Sequence, residues 1–189
     1  MKQLLILLSI LLIPALSTAQ DSHTYRTLED LLANQPAEEI PPTFRYERQR
    51  HQGKLRGQKI AAYRFKGPRE YKLPKTKTFA VYMDGSLFIN LNRPKLRKNT
   101  DFFKVEWIGN YGYFVDIHKY PVWIDEVYME DTILKEMLLD RSTGTIIELS
   151  KKNLRIILQD HPKLLQDFER ERKKKKKLKE YLVLSAREA

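Results

Sequence analysis

Apolar residues fill a central hairpin on both sides of its turn. In residues 79–91 two apolar segments flank Asp84 and Gly85, a dipeptide that favours the two-residue turn of a β-hairpin. With that turn, Tyr82 lies opposite Leu87 and Val81 lies opposite Phe88, so both faces are apolar. The pattern therefore predicts a strand pair that is buried on both faces or that closes part of a barrel.

The same strand-like pattern recurs through the rest of the middle of the chain. Further strands are predicted at Phe44–Arg50, Lys59–Phe65, Phe102–Ile108, Tyr113–His118, Val122–Met129, Ile133–Leu139 and Thr145–Leu149. A second hairpin runs through Gly109–Gly112, within the segment Trp107–Phe114, and the sequence leaves its register open. A third turns at Asp140–Gly144, where the glycine suits a left-handed backbone.

Helical periodicity replaces the strand pattern at the two ends of this region. Thr24–Ala33 is predicted to be a short helix, with Thr27 and Asp30 as its N-terminal cap. Near the other end, Ser150 is predicted to cap a second helix, and Pro162 suits the first turn of a third.

This order of elements predicts an α+β fold. It consists of an antiparallel, strongly curved or barrel-like meander sheet with one short N-terminal helix and two C-terminal helices. The predicted organisation is an N-terminal helix and proline-rich linker at residues 20–42, a β domain at 43–149, and a helical pair with a basic tail at 150–189. About 170 residues suit one globular unit over residues 20–189.

The first residues predict export. Lys2 precedes the apolar segment Leu4–Leu16, and small residues follow at Ser17–Ala19, which is the order of a cleavable signal peptide. The apolar segment is roughly a dozen residues long, whereas a membrane-spanning helix needs about 20. We therefore expect residues 1–19 to be removed just before Gln20, and a periplasmic or secreted protein that is not transmembrane.

The chain contains no cysteine, and this absence excludes several kinds of bond and site. An exported protein without cysteine has no disulfides, so its stability must come from a hydrophobic core. Thiol catalysis, thiolate metal sites and a lipid anchor on a cysteine are excluded with it.

Charge alternates along the chain, and its basic segments carry the candidate binding residues. Residues 45–104 contain 17 Lys and Arg against four acidic residues, and residues 150–189 contain 13 against six. Clusters of this kind bind phosphates, anionic glycans and anionic lipid head groups by charge, although they also occur as solvated helix faces. The candidates are Arg93, Lys95, Arg97, Lys98, Arg172, Lys173, Lys174, Lys175, Lys176 and Lys177.

Catalytic chemistry has one candidate pair of residues. Asp116 and His118 are two residues apart on a predicted strand, so they share a face, and a third metal ligand would come from Asp125, Glu126 or Glu130. A solvent-facing Asp/His pair at a strand end explains the same pattern. None of the serines lies in the Gly-x-Ser-x-Gly turn of a serine hydrolase. We therefore expect no catalytic residue, no cofactor and no resident metal.

Two segments carry a resemblance to known sequences. The run from Thr143–Leu149 through Asp160–Pro162 into the lysine-rich helix, together with Trp107–Phe114, resembles an uncharacterised family of exported proteins from Gram-negative bacteria. The resemblance implies no activity and assigns no functional residue.

Three functional hypotheses remain open. The first is an exported, non-catalytic envelope protein that acts as a binding or assembly factor, with another envelope protein as its partner. The second is a binder of anionic surface glycan or lipid through the basic loop and tail. The third is a metal-assisted enzyme built around Asp116 and His118. A specific nucleic-acid partner is not expected, because no nucleic-acid-reading module is recognisable.

Overall fold

The computed structural model describes residues 22–55, 58–68, 73, 77–91, 101–124 and 127–188, with side chains described in these ranges outside 50–59 and 118–132. The predicted signal peptide, the basic loop Arg93–Lys98, and the ligand candidates Asp125 and Glu126 lie outside the described residues. Export and the role of that loop therefore stay predictions.

Strands make up most of the residues that the structure describes before residue 150. They are β1 His23–Tyr25, β2 Glu38–Glu39, β3 Arg45–Leu55, β4 Gln58–Lys66, β5 Ala80–Met83, β6 Ser86–Ile89, β7 Phe103–Lys104, β8 Glu106–Ile108, β9 Tyr111–Ile124, β10 Val127–Asp140 and β11 Ile146–Glu148. The helices are α1 Leu28–Leu32, α2 Lys151–Ile157, α3 Pro162–Arg170 and α4 Lys174–Glu188, with a 3₁₀ turn at Leu158–Asp160 directly after α2. None of the described helices combines the length and apolar character needed to cross a membrane.

The described strands form three antiparallel sheets. One has the order β2-β1-β5-β6-β7, the second has the order β11-β10-β9-β8, and the third is the hairpin β3-β4. The α+β class and the antiparallel pairing are confirmed. The described strands do not close into a barrel, so the barrel-like form of the sheet is not confirmed.

Three hydrophobic clusters lie between the sheets and helices and join them into layers. The first lies between the two larger sheets, and it includes Ala80 and Leu87 from one sheet and Phe114 and Leu139 from the other. The second lies between the four-stranded sheet and the helices α2–α4. The third lies between the β3-β4 hairpin and the five-stranded sheet. Each cluster supplies the burial that stabilises its pair of layers, because apolar area removed from water is the main favourable term in folding.

The β5-β6 hairpin has the predicted turn and register. Tyr82 pairs with Leu87, and Val81 pairs with Phe88. The side chains of one face enter the cluster between the larger sheets, and those of the other face enter the cluster under β3-β4. The hairpin is therefore buried on both sides, as its apolar pattern predicts.

The turn of this hairpin depends on Gly85. The backbone φ angles of Asp84 and Gly85 are +51° and +67°, which is the left-handed region that a twisted two-residue turn requires. A β-branched residue is strained there, so we expect Gly85→Val to lower the free energy of unfolding by roughly 1–3 kcal/mol. Urea denaturation measures the loss, and Gly85→Asn, which tolerates positive φ, serves as the control. Equal stability of Gly85→Val and Gly85→Asn would contradict the strain argument.

The N-terminal helix is shorter than predicted, although its cap is confirmed. Thr27 accepts a hydrogen bond from the backbone of Asp30, and the Asp30 carboxylate accepts one from the backbone of Thr27. The residues before this cap form β1 instead of a first helical turn, because they pair with both β2 and β5.

The C-terminal region is helical as predicted, but it contains three α-helices instead of two. Ser150 caps α2 through the backbone N–H of Asn153, and Pro162 occupies the first turn of α3. The third helix, α4, is long enough to include both the lysine run and the apolar residues that follow it.

The predicted separate strand at Val122–Met129 is wrong. β9 continues to Ile124, and β10 begins at Val127 and pairs back along all of β9, from Val127 opposite Ile124 to Asp140 opposite Tyr111. The structure also sets the open register of the Trp107–Phe114 segment, with Ile108 opposite Tyr111.

Candidate functional site: a basic corner between α3 and α4

The C-terminal basic cluster lies where α3 gives way to α4. The six residues Arg172–Lys177, here called the basic corner, begin two residues after α3 ends and extend into the first turn of α4. Six of the ten predicted anion-binding residues are consecutive in the sequence and form this one short segment. The other four belong to the Arg93–Lys98 loop, outside the described residues.

Glu171 gives the corner its shape. Its backbone is extended, with φ −65° and ψ 123°, so the chain leaves the axis of α3 at this residue. Its carboxylate then accepts a hydrogen bond of 2.8 Å from the backbone N–H of Lys173, just before α4 begins. An acidic side chain at this position satisfies one of the backbone donors that a helix start leaves open.

Buried aromatic packing holds the corner against the protein. Phe168, on the last turn of α3, is fully buried, and its ring meets that of Tyr181 on α4 edge to face with centroids 5.1 Å apart. Leu178 and Leu182 are buried on the same side of α4. Burial raises the pKa of the Tyr181 hydroxyl above its usual value. The position of the lysines is thus set by residues on either side of them in sequence.

Lys174 and Lys177, the less exposed cations of the corner, bond oxygen atoms at the end of α3 and on α4. The Lys174 ammonium donates to the carbonyl oxygens of Glu169 and Glu171 at the end of α3, and it lies 5.9 Å from the centre of the Phe168 ring. Lys177 bonds the Glu180 carboxylate at 3.0 Å, and this hydrogen bond raises the pKa of Lys177. A lysine that bonds the last carbonyls of a helix also interacts favourably with the negative end of the helix dipole.

A further ion pair ties the end of α3 to α2. The Arg155 guanidinium donates from two nitrogens to the two carboxylate oxygens of Glu169, and this hydrogen bonding lowers the pKa of Glu169. The carboxylates of Glu169 and Glu171 therefore pair with Arg155, Lys174 and Lys177.

The remaining four cations of the corner are exposed. They are Arg172, Lys173, Lys175 and Lys176. Like charges at this spacing repel one another, and they lie at the helix start, where the dipole is already positive. An anion placed there is attracted by the side chains and by the helix dipole together.

Three residues of the predicted metal site, Asp116, His118 and Glu130, lie in the paired strands β9 and β10. Asp116 is 3% exposed and lies opposite Lys135, and His118 lies opposite Ile133. Glu130 lies opposite Pro121, so the register places its position on the other face of the hairpin from the His118 position. Among the residues that the structure describes, no cluster of three or more His, Cys, Asp or Glu side chains is arranged to hold a metal ion.

Sequence reasoning missed a polar cluster around His23. His23 lies in β1, with its Nε2 2.7 Å from the hydroxyl of the buried Tyr25, and that hydroxyl donates to the Asn34 side chain at 3.0 Å. Its ring stacks on Tyr82 with centroids 5.3 Å apart. Because the one hydroxyl hydrogen of Tyr25 goes to Asn34, the His23 Nε2–H is the donor in their contact. The alternation His23-x-Tyr25 was the available signal for a shared strand face.

Sequence reasoning also missed an open groove of about 330 Å³ along α4. The described residues that line it are Lys179, Glu180, Val183, Leu184 and Arg187. The signal for this groove was the recurrence of these residues every three to four positions, which places them on one side of a helix.

The chain belongs to a protein family of unknown function, DUF6563, whose family model matches residues 23–188. Searches of curated proteins and of solved structures each found no match. Membership of an uncharacterised family is thereby confirmed. Export and an origin in Gram-negative bacteria stay predictions.

Proposed function

We propose that the chain is an exported, non-catalytic envelope protein that binds anionic surface polymers through the basic corner. Its ligands are glycans or lipids that carry phosphate, sulfate or carboxylate groups. Binding of this kind needs closely spaced, accessible cations at fixed positions, and no reacting group.

The observation that carries the proposal is that four closely spaced cations of the corner, Arg172, Lys173, Lys175 and Lys176, are exposed. The bonds of Lys174 to the end of α3 and the Phe168–Tyr181 contact hold the segment in place. The exposed four therefore present positive charge to solvent. Such a surface binds anions by releasing their counterions, which makes the affinity depend on salt.

Replacing all four exposed cations with glutamine is expected to weaken binding to lipopolysaccharide and to heparin. The loss should be roughly tenfold at physiological ionic strength and larger at low salt, because salt screens surface charges. The slope of log affinity against log salt should also become flatter. Folding stability should not fall, because exposed substitutions change it by less than about 0.5 kcal/mol.

A matched control removes the same charge away from the basic corner and from α4. The exposed residues Lys104, Lys151, Lys152 and Lys163 are replaced with glutamine in that control. If the control loses as much affinity as the corner variant, binding depends on net charge and the corner is not the site. If neither variant loses affinity at any salt concentration, the proposed function is wrong.

A further inference from the structure

The exposed side of α4 joins the basic corner to the groove. Leu178, Tyr181, Leu182 and Ser185 are buried and define the inner side of the helix. At 3.6 residues per turn, the opposite side carries Lys176 near the start of α4, Val183 in the middle and Arg187 near the end. A 15-residue helix is about 22 Å long, so one continuous stripe of that length runs from the corner through the groove.

The floor of the groove is apolar, and both ends of the stripe are cationic. Val183 and Leu184 are each half-buried and line the groove. At its end nearer the corner, the Lys179 ammonium bonds Glu106 at 2.7 Å and lies 4.3 Å from the centre of the Tyr113 ring. At its other end Arg187 is exposed.

A ligand that matches the whole stripe must be both anionic and apolar. A soluble polyanion would satisfy the cations and leave Val183 and Leu184 in water. A bilayer of anionic lipids offers phosphates at the depth of the head groups and acyl chains immediately beneath them. Helices that rest on membrane surfaces combine Lys and Arg, which contact the head groups, with apolar residues that enter the boundary with the acyl chains.

We propose that α4 docks on the surface of an anionic phospholipid membrane. The exposed cations of the corner and Arg187 contact lipid phosphates, and Val183 and Leu184 enter the boundary between head groups and acyl chains. This inference rests on the proposed anion binding for its electrostatic part, and it adds the ligand class and the role of the groove.

The test measures binding of the whole chain to vesicles made of equal parts phosphatidylcholine and phosphatidylglycerol, with heparin as a soluble polyanion in parallel. We expect Val183→Ser combined with Leu184→Ser to weaken vesicle binding by roughly tenfold, because the apolar contact is lost. Heparin binding by the same variant should be unchanged. Vesicles of phosphatidylcholine alone should bind the wild-type chain weakly.

The outcomes separate the two proposals. Equal vesicle binding by the Val183/Leu184 variant and the wild type would overturn the lipid inference, and heparin binding would still support the proposed function. If the corner variant keeps its heparin affinity, the proposed function itself is wrong. Strong wild-type binding to phosphatidylcholine alone would also overturn the electrostatic part of the lipid inference.

A second variant keeps the lipid inference testable if the Val183/Leu184 variant does not fold. Glu180, the acidic residue that lines the groove, is exposed, so Glu180→Gln removes a repulsive charge from the stripe and releases Lys177 from its ion pair without opening the core. We expect it to bind the anionic vesicles roughly two- to threefold more tightly. The control is Glu29→Gln, which removes an exposed acid from α1. An equal gain in the control, or no gain in Glu180→Gln, would overturn the proposal.

Discussion

Phe88→Ala is expected to lower the free energy of unfolding by about 3–5 kcal/mol, as large aromatic-to-alanine changes do in well-packed cores. Phe88 is fully buried on β6, and its ring contacts those of Tyr46, Tyr63 and Phe65 at centroid distances of 4.9, 5.0 and 5.3 Å. Truncation would leave a cavity that these three rings cannot fill, because they lie on the paired strands β3 and β4.

Urea denaturation followed by tyrosine fluorescence measures this loss. Phe88→Leu is the matched control, because it keeps most of the side-chain volume and should cost clearly less than Phe88→Ala. If the two variants have the same unfolding midpoint, the aromatic cluster is not what joins the β3-β4 hairpin to the five-stranded sheet.

The β5-β6 hairpin was predictable because its information is local. Asp84-Gly85 determines the turn, the turn determines the register, and the register determines which side chains share a face. The same is true of the capping residues Thr27 and Ser150, whose bonds reach only three residues along the chain. Signals of this range are present in any short window of sequence.

The long β9-β10 hairpin was not predictable from such windows. The segment from Val122 to Met129 is apolar except for Asp125 and Glu126, and neither glycine nor asparagine marks a turn in it, so it resembles one strand. Its division into the end of β9 and the start of β10 follows from fourteen consecutive cross-strand pairs. Similarly, Thr24 and Tyr25 fit a helical pattern, but pairing with β5 makes them a strand, because tertiary contacts outweigh a weak local preference.

The candidate site was predictable in position but not in its internal order. Composition identifies the run Arg172–Lys177 as basic, yet it does not distinguish Lys174 and Lys177 from their neighbours. That distinction depends on Glu169 and Glu171. Their backbone and carboxylate oxygens lie close to Lys174 and Lys177 because the chain changes direction between α3 and α4. Sequence patterns show charge, and the fold decides which charges are available to a ligand.

Phe168→Ala is expected to destabilise the helical layer by about 3–5 kcal/mol and also to weaken anion binding. Phe168 is fully buried between α3 and α4, and its ring contacts both Tyr181 and the Lys174 ammonium. Losing it would free the start of α4 from the end of α3. Every cation of the basic corner would remain, but the four exposed ones would no longer be held in a fixed arrangement.

Two measurements on the same variant test this prediction. Denaturant unfolding gives the stability loss, with Phe168→Leu as the milder control. Heparin binding, measured at a temperature at which the variant is still folded, should weaken roughly two- to fivefold, because an ordered array of charges pays less entropy on binding than a mobile one. Unchanged binding in a clearly destabilised variant would show that the corner acts through its charge alone, and that the packing beneath it contributes stability but not recognition.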